Sequence, residues 1–551
     1  MISALLALQL AGPFSVASLR NDLSYLTSDV CGGRLALTAG SDAASNYLAN
    51  ELKKAGIKPG GAQGYFDAFT ITQGMRATTD SAVALDGKAL KAGKDFTGLV
   101  ASSGTVNAGM VFVGFGRDKD YEGHSIRGSW AVLLRGPAPG ETDETLAVRA
   151  GRAQAAGAIG VVFAGPKWPD GADLVLPTRM NFGADIKVPV LSLSSRFLKG
   201  DFWKQKADYR AVWKPLQGTL SVNLKMEANT GNGRNVVGII PGTDPALKNQ
   251  IIVMGAHYDH LGMGQFSSMS GNDLMHRGAD DNGSGTTGLL ALARQIAKDR
   301  TNKRTVMIQF YSGEEIGLVG STAWVRQNAE TMKRVYAMLN MDMIGRLRNG
   351  KLVVFGVNTA TEFGTLLKPI SVDGVKPELL EQSPGNSDHA AFAASVPVLF
   401  FNTDLHSEYH TERDTIDTIN FEGMSQVVNY IHRTFRVVDA TTALTHKAPA
   451  NTSTGGDPNR RRRVRTGFIP DMSGAGPGLL LNGASPGSPA AKAGVQAGDR
   501  LIKFGNVKIN GIEDLQTALA EAEVGKPSTI IVVRGGKEVT LTITPEASAA
   551  G

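Results

Sequence analysis

Cysteine is nearly absent from this chain of 551 residues, because Cys31 is the one cysteine that it contains. An internal disulfide framework is therefore excluded, whereas export from the cell is not. A chain of this length is expected to fold as several domains of roughly 100–200 residues each. Since 42% of the residues are apolar and 20% are charged, these domains can bury ordinary hydrophobic cores without disulfides.

Charge of one sign and long hydrophobic runs are also scarce. The 57 basic and 51 acidic residues leave a net charge of +6, and the one dense basic run is Arg460–Arg463. Nucleic acid is therefore not expected as a partner. The apolar stretch Ile2–Ala11 is too short to cross a bilayer, and no other stretch predicts a transmembrane segment.

The N-terminal stretch instead predicts a signal peptide over residues 1–17. Its apolar part is followed by Ser15-Val16-Ala17, a small-x-small site for cleavage before Ser18, although no Lys or Arg precedes the apolar part. We therefore expect a bacterial protein that is exported to the periplasm or the extracellular space.

Histidines and acids gather between residues 251 and 285. Ile251–Met254 is a short apolar run that predicts a buried strand, and His257 follows it directly. Asp281 lies in a glycine-rich loop before a predicted helix, for which Ser284 is a suitable N-cap. In open α/β sheets, sites form at the carboxyl ends of strands, so this stretch is a candidate site.

Three further predicted strands place an acid or a histidine beyond their ends. Strands at 305–310, 335–341 and 396–401 are followed by Glu314-Glu315, Asp342 and Tyr409-His410. Each motif alone is typical of a turn, a solvated helix start or a surface histidine, but four strands in succession indicate a metal site. The alternation of strands and helices over 224–443 predicts a mixed, mostly parallel sheet flanked by helices, and hence an α/β fold.

The residue types in this cluster suit zinc, which takes imidazole and carboxylate ligands. The candidate ligands are His257, Asp281, Glu315, Asp342 and His410. With Asp281 bridging, each of two ions receives three protein ligands and keeps a position for water. Glu314 then remains available as a general base. Asp259 is placed to accept the second ring N–H of His257.

These motifs resemble, in order, those of the co-catalytic dizinc aminopeptidases, a family that includes bacterial leucyl aminopeptidases, glutamate carboxypeptidase and the transferrin receptor. The motifs are AHYDHLG at 256–262, GADDNGSG at 278–285, SGEEIGLVGS at 312–321, NMDMIG at 340–345, SDHAAF at 387–392 and YHTERDT at 409–415. The resemblance covers roughly 225–440, with a helical lead-in at 18–60. It implies the zinc aminopeptidase fold.

The resemblance also implies a role for each site residue. One zinc is implied to be held by His257, Asp281 and Asp342, and the other by Asp281, Glu315 and His410. Glu314 is implied to be the general base, Asp259 the partner of the His257 ring, and Tyr409 a hydrogen-bond donor to the oxyanion. A cis peptide bond is implied between Asp281 and Asn282, and Asp388 matches an acid that lines the site.

Two other regions resemble known modules. Residues 78–223 resemble a protease-associated (PA) domain, inserted between residues 18–77 and 224–443 of the peptidase domain, with RGSWAVLLRG, AAGAIGVVFA and VPVLSLS as its typical phrases. After a linker at 444–466, residues 467–546 resemble a bacterial PDZ domain. Its peptide-binding loop is implied to be Gly478, Leu479, Leu480 and Leu481, whose backbone N–H groups would receive the C-terminus of a peptide ligand. The alternative for this module is a structural cap.

The sequence therefore predicts an exported zinc aminopeptidase that hydrolyses N-terminal residues with a zinc-bridged water and a Glu general base. A glutaminyl-cyclase-like transferase or a carboxypeptidase on the same fold is an alternative, as is a non-catalytic peptide-binding protein. The segment Met263–Arg277 is expected to cover the pocket. The sequence indicates no side-chain preference at the cleaved residue.

Overall fold

The computed structural model describes residues 14–102, 104–135, 146–164, 186–197, 213–264, 268, 274–381, 386–448, 464–470, 478–484, 487–509 and 512–547. Several predictions fall wholly or partly outside these ranges, among them the linker at 444–466. Others concern the apolar part of the signal peptide, the Arg460–Arg463 run, and the stretches 265–267 and 269–273 of the expected pocket cover.

The described chain begins with a helical lead-in. Its elements are α1 Val16–Leu26, α2 Ala39–Lys54, β1 Lys58–Pro59 and β2 Phe66–Ala77. Ser15 caps α1 by accepting the N–H of Ser18, and Phe14 packs edge-on against the ring of His432. The predicted cleavage before Ser18 therefore falls in the first turn of α1, where it would remove the cap.

The second part of the chain forms an eight-stranded sheet of its own, which we call the inserted sheet. Its strands are β3 Ala82–Leu85, β4 Lys88–Ala89, β5 Phe96–Val100, β6 Val106–Gly114, β7 Trp130–Leu134, β8 Gly160–Ala164, β9 Val190–Leu193 and β10 Lys214–Asn223. The strand order is β4-β3-β10-β6-β7-β8-β9-β5, and β6 to β9 run parallel. Helices α3 Asp118–Tyr121 and α4 Leu146–Ala155 lie between its strands in the chain.

The third part completes a nine-stranded sheet, which we call the metal-centre sheet. The elements are β11 Met226–Ile240, β12 Ile251–His257, α5 Gly285–Asp299, β13 Thr305–Tyr311, α6 Val319–Gln327, α7 Ala329–Met332, β14 Val335–Met341, β15 Lys351–Phe355, α8 Phe363–Leu367, β16 Lys376–Leu379, α9 Ala390–Ala393, β17 Val398–Asn402 and α10 Phe421–Ala440. The strand order is β1-β11-β13-β12-β14-β17-β15-β16, with β2 paired to β11.

The four central strands of the metal-centre sheet are parallel. Strand β12 pairs with β13 and β14, and β14 pairs with β17, while the pairs β11–β13 and β15–β17 are antiparallel. The parallel part is almost wholly buried, as expected for strands covered on both faces. Because β12, β13, β14 and β17 point the same way, their carboxyl ends meet at one edge, where the predicted site residues follow.

The inserted sheet is connected to the metal-centre sheet through the β2–β11 ribbon. In this antiparallel ribbon Ala77 lies opposite Met226, and every strand of the inserted sheet comes between these two residues in the chain. Paired residues of neighbouring strands are only about 5 Å apart. The chain therefore leaves the ribbon and re-enters it at adjacent positions.

The last part contains β18 Val464–Arg465, β19 Phe468–Pro470, β20 Leu479–Ala484, α11 Pro489–Lys492, β21 Arg500–Phe504, β22 Val507–Lys508, α12 Ile512–Glu521, β23 Ser528–Arg534, β24 Lys537–Ile543 and β25 Glu546–Ala547. A hairpin joins β23 to β24 through Gly535 and Gly536, whose φ values of 56° and 79° suit a two-residue turn. Across the described ranges, no helix combines the length and the apolar character needed to cross a membrane.

Of the residues predicted to form the peptide-binding loop, Leu479, Leu480 and Leu481 lie in strand β20, and Gly478 directly precedes it. Strand β20 lies between β19 and β21, with Leu479 and Leu480 paired to β21 and Leu481 paired to β19. The N–H of Leu481 donates to the carbonyl of Asp499 at 2.8 Å. The outer strands of this sheet are instead β19 and β24.

Candidate metal centre

The carboxyl edge of the metal-centre sheet brings the five predicted ligands into one buried cluster. His257 is the last residue of β12, Asp342 follows β14 directly, and Glu315 lies four residues after β13. His410 comes from the chain beyond β17, and Asp281 from the irregular turn Ala279–Ser284 that precedes α5. The turn contains the cis peptide bond between Asp281 and Asn282 that the resemblance implies.

Two groups of ligand atoms share Asp281. His257 Nε2 lies 3.4 Å from Asp281 Oδ1 and 3.5 Å from Asp342 Oδ1. His410 Nε2 lies 3.0 Å from Asp281 Oδ2 and 3.1 Å from Glu315 Oε2. One carboxylate oxygen of Asp281 thus faces each group, which is the arrangement required of a bridging ligand.

The first group contains buried polar atoms that have no partner in the described protein. Among the described residues, neither His257 Nε2 nor Asp342 Oδ1 has a hydrogen-bond partner. Buried polar atoms without a partner are rare in folded proteins. Zinc takes imidazole nitrogen and carboxylate oxygen ligands, so the donor set fits this metal.

The backbone around Asp281 is held from two sides. The carboxylate of Asp414 accepts the N–H groups of Asp280 and Asp281, each at 3.0 Å. The side chain of Asn282 donates to the carbonyl of Met341 at 3.0 Å and accepts the N–H of Gly285 at 2.9 Å. These bonds tie the turn both to the chain after β17 and to the end of β14. Ser284, predicted as the cap of α5, instead donates to Asp280.

Asp342 is oriented by a short chain of polar side chains. The amide of Asn340 donates to Ser387 Oγ at 2.8 Å, and Ser387 Oγ donates to Asp342 Oδ2 at 2.9 Å. Since Oδ2 is engaged in this way, Asp342 Oδ1 is the oxygen presented to His257.

The predicted partner of the His257 ring acts through its backbone rather than its carboxylate. His257 Nδ1 donates to the carbonyl oxygen of Asp259 at 3.2 Å, whereas the carboxylate oxygen Oδ1 is 3.6 Å away. Strand β12 ends at His257, so Asp259 lies beyond the strand. The Asp259 carboxylate instead accepts the N–H of Glu314 at 3.2 Å.

Arg34 clamps the loops around the centre. Its guanidinium is fully buried and donates to the carbonyls of Leu26, Tyr258, Arg277 and Gly278, at 2.7 or 2.8 Å. The preceding Gly33 approaches Gly262 so closely that a Cβ there would lie 2.6 Å from the Gly262 carbonyl oxygen. The helical lead-in is therefore part of the wall of the centre.

The neighbouring residues Glu314 and Glu315 have opposite electrostatic environments. Burial raises the pKa of Glu314 well above its ordinary value, and the carboxylates of Glu315 and Asp342 add to the increase although His257 opposes it. For Glu315, burial acts in the same direction, but His410 and His260 outweigh it and lower the pKa to about 2. Paired carboxyl groups with separated pKa values are typical of an acid–base residue beside a permanently charged one.

Tyr409 and Asp388 also lie at the centre. The Tyr409 ring stacks on His410 with a centroid distance of 3.9 Å, and burial raises the pKa of its hydroxyl well above the ordinary value. Asp388 is fully buried, and its burial raises its pKa to about 7, with Asp259 and Asp342 adding to the shift. A protonated Tyr409 hydroxyl is a hydrogen-bond donor.

The sequence did not identify several residues of the centre as functional. They are His260, Asp414, Ser387 and Arg34. His260, Asp414 and Ser387 stand inside the recognised motifs AHYDHLG, YHTERDT and SDHAAF, so their position there was a usable signal. Arg34 carried none, because it lies more than 200 residues before the residues whose carbonyls it binds at 258 and 278.

Two family models match the chain. Residues 235–435 match peptidase family M28, and residues 481–534 match a PDZ domain. The chain is 31% identical over 266 residues to a probable leucine aminopeptidase 1 of Trichophyton verrucosum. The matched region covers 42% of this chain and 67% of that protein. It is 30% identical over 264 residues to leucine aminopeptidase 1 of Trichophyton equinum, with the same coverage.

Solved structures also resemble the chain. A zinc aminopeptidase from Bacillus subtilis aligns with 81% of this chain and 99% of its own, at 21% identity and a TM-score of 0.46. An aminopeptidase from an Aneurinibacillus strain aligns with 80% of this chain and 96% of its own, at 21% identity and a TM-score of 0.42.

Proposed function

Because the chain belongs to peptidase family M28, we propose that it is an aminopeptidase that hydrolyses the first peptide bond of its substrates with two zinc ions. It is a zinc metallopeptidase with a C-terminal PDZ domain. The observation that carries the two-ion proposal is the Asp281 carboxylate, whose two oxygens face separate pairs of ligand atoms.

Five side chains would hold the metal. His257 and Asp342 would bind one ion, Glu315 and His410 the other, and Asp281 both. When bound, the ions polarise the substrate carbonyl and make water more acidic. Ser387, Asn340 and Asp414 hold Asp342 and Asp281 in place, and such support around metal ligands commonly contributes 10- to 100-fold in affinity (roughly).

Glu314 would move the protons. Its Oε2 lies 3.9 Å from His257 Nε2, which places this carboxylate beside the ligands without making it one. The raised pKa of Glu314, which follows from burial and nearby carboxylates, suits a group that takes a proton from the attacking water. The same carboxyl group then delivers a proton to the leaving amine.

Tyr409 would stabilise the negative charge that develops on the carbonyl oxygen. Its hydroxyl stays protonated because burial raises its pKa, and its stacking on His410 holds the ring beside the ligands. A donor aimed at a developing oxyanion contributes about 10²–10³ in kcat. Tyr409→Phe should therefore lower kcat more than it changes KM.

A substrate panel tests the reaction. Aminoacyl-p-nitroanilides and their N-blocked counterparts are incubated with the full chain, with and without a chelator, alongside metal analysis. We expect chelator-sensitive release from the free-amino substrates alone, with about two zincs per chain. Cleavage of N-blocked peptides at the C-terminus would make the enzyme a carboxypeptidase, and pyroglutamate formation with one zinc would make it a cyclase.

We also infer export and peptide binding by the PDZ domain. The apolar stretch at 2–11 and the small residues at 15–17 support export, and N-terminal sequencing of chain recovered from the periplasm or medium tests it. A strand-like peptide needs an unpaired sheet edge, so β19 and β24 are the strands open to it. Fluorescence polarisation with labelled peptides, free or amidated at the C-terminus, tests this binding.

A further inference from the structure

His260 lies inside the metal centre, yet the five-ligand scheme gives it no role. Its ring is fully buried, and its Nδ1 is 2.6 Å from Glu315 Oε1. Together with Asp281 and Glu315, it could itself form a three-residue metal group. His260 is therefore either an alternative ligand to His410 or a hydrogen-bond donor to Glu315.

The distance between His260 Nδ1 and Glu315 Oε1 favours the hydrogen-bond role for this ring nitrogen. Two atoms that each lie about 2.0–2.1 Å from a tetrahedral zinc are about 3.3 Å from one another. The contacts of His257 and His410 with their carboxylates, at 3.0 to 3.5 Å, are close to that spacing. The 2.6 Å contact of His260 is shorter, and it suits a charge-assisted hydrogen bond to a carboxylate.

The two oxygens of Glu315 are accordingly divided between two histidines. Oε1 faces His260 Nδ1 at 2.6 Å, and Oε2 faces His410 Nε2 at 3.1 Å. If Nδ1 of His260 carries the proton, Oε1 is engaged and Oε2 is the oxygen directed toward the ion. This division parallels Asp342, where Ser387 engages Oδ2 and leaves Oδ1 for the ion.

Packing fixes the ring of His260 in this orientation. A Cβ at Gly278 would lie 2.4 Å from His260 Cδ2, so the absence of a side chain at Gly278 makes room for the ring. On another side, the His410 ring meets it in an edge-on contact with centroids 5.8 Å apart. A ring held by both neighbours loses little further freedom when it donates to Glu315.

We propose that His260 is a positioning residue that holds Glu315 through an Nδ1–H···Oε1 hydrogen bond and thereby sets the affinity of the zinc shared by Asp281, Glu315 and His410. This proposal rests on the two-zinc function proposed above. It assigns the zinc of His257 and Asp342 no dependence on His260.

The test compares His260→Ala, His260→Asn and His410→Ala in the full chain. Asparagine places an amide N–H the same number of bonds from the backbone as Nδ1 of histidine, so it can donate to Glu315 without an imidazole. Zinc content is measured by metal analysis after dialysis against zinc buffers of graded free concentration. Absorption of the cobalt-substituted protein reports the ligand set, and circular dichroism of the metal-free proteins controls for folding.

We expect His260→Ala to weaken one of the two zincs about 10- to 100-fold and to leave the other unchanged. His260→Asn should recover most of that affinity and the wild-type cobalt spectrum, whereas His410→Ala should lose the ion altogether. The proposal is overturned if His260→Ala binds two zincs as tightly as the wild type. It is equally overturned if His260→Asn binds as weakly as His260→Ala, or if His410→Ala keeps both ions.

The wild type separates this proposal from the function on which it rests. A wild-type chain that retains fewer than two zincs contradicts the two-zinc function and removes the basis for a role of His260. Two zincs in the wild type, with no difference among the His260 variants, contradict the positioning role alone.

Discussion

The metal-centre sheet and the inserted sheet both contain four adjacent parallel strands, but different side chains lie at the carboxyl ends of these strands. In the metal-centre sheet, β12 ends at His257, and Glu315 and Asp342 follow β13 and β14. In the inserted sheet, Arg149 of α4 lies at the corresponding edge. Its guanidinium donates to the carbonyl of Phe115 at 2.6 Å and also to the carbonyl of Leu134.

The two edges differ in the hydrogen-bond partners of their polar groups. Arg149 satisfies backbone carbonyls just beyond β6 and at the end of β7, and it packs over the ring of Phe163. In the metal-centre sheet, His257 Nε2 and Asp342 Oδ1 find none among the described residues. In the described part of the two edges, Arg149 thus bonds two backbone carbonyls of the inserted sheet, whereas two side-chain atoms of the metal-centre sheet have no partner in the protein. Function resides in the side chains at the edge, since one arrangement of strands supports both outcomes.

The largest effect is expected from a substitution at the carboxyl edge of the metal-centre sheet. Glu314→Gln should lower kcat by about 10²–10⁴-fold, because the amide cannot accept a proton, and should leave two zincs bound. Glu315→Gln is the matched control, since it should lose a zinc together with activity. Steady-state kinetics and metal analysis of both variants check this. Undiminished turnover by Glu314→Gln would remove the base role.

The second prediction uses the metal itself. Zinc that binds only the folded chain should stabilise the metal-centre region by about 4 kcal/mol when free zinc exceeds the dissociation constant 1,000-fold. Chelation should therefore lower the midpoint temperature of one calorimetric transition and leave the midpoints of the inserted sheet and the PDZ domain unchanged. A uniform shift of all transitions would mean that the two sheets unfold together, which would contradict their treatment as separate units.

The clustering of the site could be predicted because it follows from local patterns. Apolar runs mark β12, β13 and β14, and in a parallel arrangement the residues just beyond them must meet at one edge. The contact of His260 with Glu315 could not be predicted, because a spacing of 55 residues contains no information on ring packing. The backbone role of Asp259 was also not predicted, because the residue pattern does not show which oxygen of Asp259 faces the His257 ring.

The third prediction concerns the carboxyl edge of the inserted sheet. Arg149→Met should destabilise this sheet by about 2–3 kcal/mol, because two buried carbonyls lose their donor. Zinc content should not change. Arg152→Met on the same helix is the control. Its ion pair with the exposed Asp118 should contribute less than about 1 kcal/mol. An equal loss in both variants would show that helix α4, and not the pair of hydrogen bonds from Arg149, sets stability.

The smallest effect is expected from removing the inserted sheet altogether. Ala77 and Met226 are cross-strand partners, so an Asn-Gly turn in place of residues 78–225 should close the ribbon as a hairpin. We expect two zincs and a rate on aminoacyl-p-nitroanilides within roughly twofold of the full chain, because the ribbon ends already pair. Loss of zinc in this variant would show that the inserted sheet contributes to the metal centre, which would contradict the difference inferred between the two sheets.

The PDZ domain shows a second limit of prediction from sequence. The glycine and the three leucines at 478–481 form a typical pattern, but a strand offers its N–H groups to a ligand only where it has no neighbour. Strand β20 has neighbours on both sides. Whether a strand is an edge or an interior strand depends on pairings across the chain, such as Pro470 with Leu481, and the local pattern does not encode them.

Arg34 has a consequence for the order in which a ribosome delivers this chain. The clamp residue emerges early, but the carbonyls that it binds at 258 and 278 follow more than 200 residues later, and His410 completes the ligand set later still. Before His410 has been synthesised, a growing chain therefore contains the other four predicted ligands but not the complete metal centre. The ligand set is therefore complete only when the chain has been made past His410, which lies beyond β17, the last of the parallel strands.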